Sequence, residues 1–183
     1  MKLSKPRIQP LTESEWTAEQ REMLEPIKRD GPFYNVLGTL SRHWPAAQKF
    51  TTWAFHIMGD TSKLAPRERE ILILRIGWLC QAEYEWGQHV IFARDAGLSD
   101  EEIARIKEGA SAAGWSDFDA SLLRAVDELH SEAFVSDKTW AALSERYNEQ
   151  QLMDVVFTVG QYNMVSMALN SFGVQLDKGV GGF

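Results

Sequence analysis

One segment of the sequence concentrates groups able to do chemistry. It reads Arg67-Glu-Arg-Glu70-Ile-Leu-Ile-Leu-Arg75-Ile-Gly77-Trp-Leu-Cys80-Gln-Ala-Glu-Tyr84-Glu85-Trp-Gly-Gln-His89. Charged and titratable residues stand there inside the most apolar part of the chain, whereas ordinary helices keep such residues on a wet face. Glu85 and His89 are four apart, so they stack on one helical face. A carboxylate beside an imidazole raises its basicity and fixes its tautomer. Proton transfer near neutral pH needs that arrangement. The same pair is also common as a surface contact worth a few tenths of a kcal/mol, so spacing alone leaves both readings open.

Glu70 sharpens the question. In one unbroken helix it would lie about 28 Å from His89, at about 1.5 Å per residue, and the two could not cooperate. A reversal between Leu79 and Cys80, the midpoint between positions 70 and 89, would instead set Glu70 opposite His89. The axis spacing of a packed helix pair is about 8–10 Å, which two side chains can bridge. Gly77 weakens the helix nearby, although no strong turn dipeptide marks the break.

Arg75 stands among Ile71, Leu72, Leu74, Ile76, Trp78 and Leu79. A guanidinium in that company needs a carboxylate, because an unpaired buried charge is costly. It can form an internal ion pair with Glu70 or Glu85 and can clamp a substrate carboxylate in bidentate geometry, and the two roles are not exclusive. Cys80 would be reactive at a helix N-terminus, where the dipole lowers a thiol pKa, and is otherwise a small buried hydrophobe. Tyr84 and Trp86 could wall a pocket or fill a core. Glu70, Glu85 and His89 lack the Glu-x-x-His spacing of di-iron bundles, so no metal is expected. His43, His56 and His130 are isolated and read as structural or exposed. No glycine-rich phosphate loop and no nucleophile-elbow motif is present.

Helices must position these groups, since strand signals are nearly absent. All six prolines fall in the first 66 residues, which suggests an irregular arm followed by a helical body. Thr17 with Gln20 opens a first helix in capping-box fashion, and Gly31-Pro32 ends it. Apolar spacing of three and four predicts a helix from Pro45 to Asp60. Pro66 suits the first turn of the next, and that pattern runs to Gly97. Further helices follow from Ser99 to Gly109, through Phe118–Leu129, through Trp140–Tyr147, and from Asn148 with Gln151 to Gly173. The glycine-rich tail, Gly179 to Phe183, is expected to be mobile unless a partner holds it.

Composition bounds the rest. At 183 residues the chain is one domain, large enough to bury a core without a disulfide or metal staple. Acidic residues outnumber basic ones 26 to 19, giving a net charge of −7. Such a surface repels phosphate backbones, so no nucleic-acid partner is expected. No apolar stretch approaches a membrane span, and the N-terminus shows no secretory h-region. With a single cysteine, these features point to the cytoplasm.

The segment resembles the carboxymuconolactone decarboxylase family, related to the alkylhydroperoxidase D proteins. The resemblance rests on Arg67-Glu-Arg-Glu70-Ile-Leu-Ile-Leu-Arg75-Ile-Gly-Trp, on Cys80, on Tyr84-Glu85-Trp-Gly-Gln-His89, and on Ala96-Gly-Leu-Ser-Asp-Glu-Glu102. Gln161-Tyr-Asn163-Met-Val-Ser-Met-Ala-Leu-Asn170 is similar to longer members of the decarboxylase-like branch. The resemblance implies an all-α fold built round a helical hairpin, with an arm over about 1–44, a family core over about 45–125 and C-terminal helices over about 126–175. It also implies a homo-oligomer, a trimer or hexamer, with a site between helices near a subunit interface. The peroxidase branch carries a glutamate, then Cys-x-x-Cys, then a histidine. The glutamate and histidine correspond to Glu70 and His89. The two cysteine places are held by Ala82 and Glu85, and Cys80 matches neither.

That departure favours acid–base over thiol chemistry, because peroxidase turnover needs a nucleophilic sulfur and usually a resolving one. The expectation is a decarboxylase or related lyase needing no cofactor, acting on a small carboxylated lactone or ring acid. His89 would deliver the proton, Glu70 and Glu85 would orient it, Arg75 would bind the anion and Tyr84 would donate to an enolate oxygen. The alternatives are a peroxidase using Cys80 and a non-catalytic small-molecule-binding oligomer of the same fold.

Overall fold

The computed structural model describes residues 2–28 and 33–183. Among them the regular elements are helical. Helix α1 spans Ala18–Leu24, α2 Asn35–Leu40, α3 Trp44–Met58, α4 Pro66–Leu79, α5 Glu83–Asp95, α6 Asp100–Ile106, α7 Asp117–Glu132, α8 Asp137–Ser144 and α9 Glu149–Phe172.

The starts follow local chemistry. Thr17, Ser99 and Asn148 each close a reciprocal capping box with a Gln or Glu three residues on, while Ser116 and Ser136 cap α7 and α8. Helix α9 stops at Gly173, whose positive φ of 72° a glycine adopts without steric cost. Helix α1 ends earlier than its pattern suggests and passes into a 3-10 turn at Glu25–Ile27; Gly31-Pro32, expected to end it, lies outside the described residues. The arm is less irregular than its prolines suggest. It carries α1, α2 and three 3-10 turns, and Arg7 and Ile8 donate their backbone N–H groups to Phe172 O.

Helix α4 is the hub. Ile71, Leu72, Ile73, Leu74 and Ile76 are all fully buried, because α5, α7 and α9 pack around it. A helical stretch apolar on every side, as from Ile71 to Leu74, can exist only in such a position. The reversal after Leu79 has a defined geometry. Gln81 takes a positive φ of 53°, Gln81 N donates to Trp78 O, and Ala82 N donates to Gly77 O, each at 2.9 Å. This is a Schellman motif with glutamine in the place glycine usually holds. The Gln81 side chain also donates to Trp78 O at 2.8 Å, which offsets part of the left-handed strain.

The C-terminal tail is not loose. Asp177 accepts from Tyr84 Oη and Gln88 Nε2, both at 2.7 Å, and from Asn35 N at 2.9 Å. Beyond it, the Phe183 ring packs edge-on against Trp78 at a centroid distance of 4.9 Å and also meets Trp86. The tail expected to be mobile unless held thus lies against side chains of α4 and α5.

Candidate active site

The α4–α5 hairpin brings Glu70 and His89 together. Glu70 Oε2 lies 2.6 Å from His89 Nδ1, and Glu85 Oε1 lies 2.8 Å from His89 Nε2. All three side chains are buried. Burial opposes charge on the ring, but the attraction of the two carboxylates and their hydrogen bonds outweighs it and raises the His89 pKa to about 10. At neutral pH the ring is therefore an imidazolium that donates to both carboxylates. Tyr162 stands edge-on to it at 4.9 Å between centroids and shields it.

This triad opens on one side only. A cavity of about 500 Å³ lies between α2, α3, α5 and α9, with Glu85, His89 and Arg69 in its lining. Glu70 is fully buried behind them. Arg69 Nε sits 3.4 Å from Glu70 Oε1, and the rest of its guanidinium makes no hydrogen bond among the described residues. Two carboxylates, one imidazolium and one guanidinium sum to zero charge, so the cavity can admit an anion. The remaining walls are mostly apolar and aromatic, with Phe50, Phe55 and Phe92 among them, and include the polar Thr51, Gln88 and Gln161.

Several expected residues fall elsewhere. Arg75 is turned away from the cavity. Its Nε donates to Asp127 Oδ1 at 2.6 Å and its Nη1 to the carbonyls of Ile106 and Lys107 at 2.9 Å, tying α4 to α6 and α7. Its partner is thus neither Glu70 nor Glu85, because its position on α4 faces α7. Gly109, at φ 87°, leaves the space its guanidinium fills. Tyr84 does line the cavity, but its hydroxyl is spent on Asp177. Burial, then the Asp177 carboxylate, push its pKa far above the usual phenol value. Cys80 is the C-cap of α4, the wrong end of a helix for a lowered thiol pKa. Burial raises its pKa, its thiol donates to Asn163 Oδ1 at 3.1 Å, and it does not line the cavity. Among the described residues no cluster is arranged to hold a metal, and both ring nitrogens of His89 are engaged by carboxylates.

Three cavity residues escaped the sequence reading. Arg69 was overshadowed by Arg75, whose apolar neighbours made it the more conspicuous charge. Gln161 and Tyr162 come from α9, far away in sequence. The one available signal was a glutamine within an otherwise apolar helical stretch.

Residues 45–128 match the model of the carboxymuconolactone decarboxylase family. Known structures share the fold over nearly the whole chain. An uncharacterized peroxidase-related protein from Silicibacter sp. TM1040 superposes with a TM-score of 0.79 at 17% identity, covering 96% of this chain and 91% of that one. The alkylhydroperoxidase AhpD core protein from Ralstonia eutropha JMP134 gives 0.77 at 16%, covering 87% and 85%. The debrominase Bmp8 gives 0.72 at 17%, covering 93% and 92%; a variant of it has been solved with 2,3,4-tribromopyrrole. No protein of curated function matches the sequence.

Proposed function

We propose that this protein is an acid–base enzyme, a decarboxylase or closely related lyase working on a small carboxylated lactone or ring acid. The observation that carries the reading is that Glu85 and His89 both line the cavity, but both His89 nitrogens are already engaged by carboxylates. The group that meets the substrate is then Glu85 rather than His89. His89 holds the proton behind it, and Glu70 holds the charge of His89.

In this scheme Arg69 receives the substrate carboxylate in a bidentate contact. The bond between the ring carbon and that carboxylate breaks and CO2 leaves. The electron pair passes into a conjugated carbonyl as an enolate. A proton moves from His89 Nε2 to Glu85 and from Glu85 to the ring carbon, and the ring nitrogen is reprotonated from water. Positioned proton transfer of this kind supplies about 10² to 10⁴-fold, and charge placement in a water-poor cavity supplies the remainder. A neighbour that accommodates a brominated pyrrole supports a planar ring as the shape of ligand this fold can take.

We take the working form to be a homo-oligomer. Met153, Phe157, Gly160, Met164 and Met167 alternate at steps of four and three along α9 and are all exposed, the pattern of a helix face that packs on another.

The test is release of CO2 from unsaturated γ-carboxylated lactones in deuterium oxide. One deuterium should enter the product carbon, and Glu85→Gln should slow release by about 10² to 10⁴-fold. Full activity in Glu85→Gln would end the scheme.

A further inference from the structure

A second cavity, about 700 Å³, adjoins the one that holds the relay. It lies between α2, α3, α9 and the arm, and its surface is almost wholly apolar. The two cavities share a wall made of Val36, Phe50, Gln161 and Val165. Gln161 and Thr39 belong to its lining, and their Nε2 and Oγ1 atoms, which have almost no accessible surface of their own, have no hydrogen-bond partner among the described residues. Their residues are only 5% and 3% exposed. A buried amide N–H without an acceptor is rare in folded proteins and costs free energy. An apolar hollow with a few unspent donors has the make-up of a ligand site.

We propose that the two cavities form one bipartite binding site for a lactone or ring carbonyl compound bearing a long apolar substituent. The ring lies before Glu85, a turn of the Gln161 side chain presents Nε2 to its carbonyl oxygen, and the substituent fills the second cavity. This narrows the substrate class of the reading above, on which the placement of the ring rests; the apolar half of the site stands on the second cavity alone. A small unsubstituted ring acid would leave that cavity empty.

Calorimetric binding of γ-lactones with linear alkyl substituents, from methyl to octyl, tests it on the full chain. Affinity should rise about three- to four-fold per added methylene until the cavity is full. Ala168→Trp, which fills the second cavity, should flatten the series to the level of the methyl compound. Gln161→Leu should weaken every member about ten-fold and keep the gain per methylene. If Ala168→Trp does not fold, as judged by circular dichroism, Ala46→Phe obstructs the same cavity. Affinity independent of chain length, or a gain per methylene that survives a folded blocking variant, overturns the proposal. The outcome is separable from that of the acid–base scheme. Glu85→Gln should bind the series like the wild type while losing turnover, so retained turnover there would undo the scheme and leave this site standing, and a flat series would do the reverse.

Discussion

Glu70 on α4 holds His89 on α5 by a 2.6 Å hydrogen bond in a fully buried setting. The bond spans the two arms of the hairpin, so it is at once a structural tie and the rear half of a proton relay. With Glu85 on the other ring nitrogen, the imidazole has no free nitrogen. Any account in which a His89 nitrogen bonds a substrate must first break one of these contacts.

The buried ring gives a stability profile with a definite sign. Its folded-state pKa of about 10 lies above the ordinary 6.5. The stabilisation is therefore complete below pH 6.5 and is lost as pH rises through 10, with an upper bound on the order of several kcal/mol. Denaturant midpoints should fall progressively between those two values. The His89 ring resonances should show no titration below about pH 9, and a ring that titrates near 6.5 would refute the buried triad.

Removing His89 is not structurally silent. His89→Gln leaves two buried carboxylates without their cation, and breaking such a pair costs about 3–5 kcal/mol. The variant should melt well below the wild type at pH 8. A melting temperature equal to that of the wild type would contradict the geometry.

Glu70→Gln and Glu85→Gln should separate in kinetics. Each removes a carboxylate from the ring and lowers its pKa. Only Glu85 lines the cavity, so only its loss removes the terminal proton donor. Glu85→Gln should reduce kcat by at least about 10²-fold. Glu70→Gln should act mainly by moving the alkaline limb of the pH–rate profile downward. Identical profiles for the two variants would argue against distinct roles.

Arg75 should behave as a structural residue. Arg75→Met removes a cation from Asp127 and from two backbone carbonyls, at a cost of about 3 kcal/mol. Asp127 is partly exposed, which keeps the loss toward the low end. KM measured on the folded fraction should not change. A large rise in KM without destabilisation would return Arg75 to the substrate.

Gly87 supports the tail. A Cβ there would approach Gly181 O to 2.2 Å. Alanine inside a helix normally stabilises by about 1 kcal/mol relative to glycine, but in Gly87→Ala that gain is opposed by expulsion of the tail. Limited proteolysis should cleave the last residues of Gly87→Ala faster than those of the wild type. Equal cleavage would mean that the strap is not held at this point.

Much of the helical plan was legible because it rests on local chemistry. Capping pairs at Thr17, Ser99 and Asn148, and the glycine after α9, act over three or four residues, and the structure realises each of them. The meeting of Glu70 and His89 was legible for a different reason. A reversal midway between them was needed for these two residues, 19 apart, to meet at all. The turn that accomplishes it left no dipeptide signature, because glutamine took the left-handed place and paid the strain with its own side chain. What the sequence left undecided was which long-range partner each buried group would find. Arg75 went to Asp127, Tyr84 to Asp177 and Cys80 to Asn163, while Arg69 and Gln161 came to the cavity. Those choices depend on the rotation of α4 against α7 and of α9 against α5. Side-chain packing among several helices at once sets those rotations, and no spacing within a single segment encodes it.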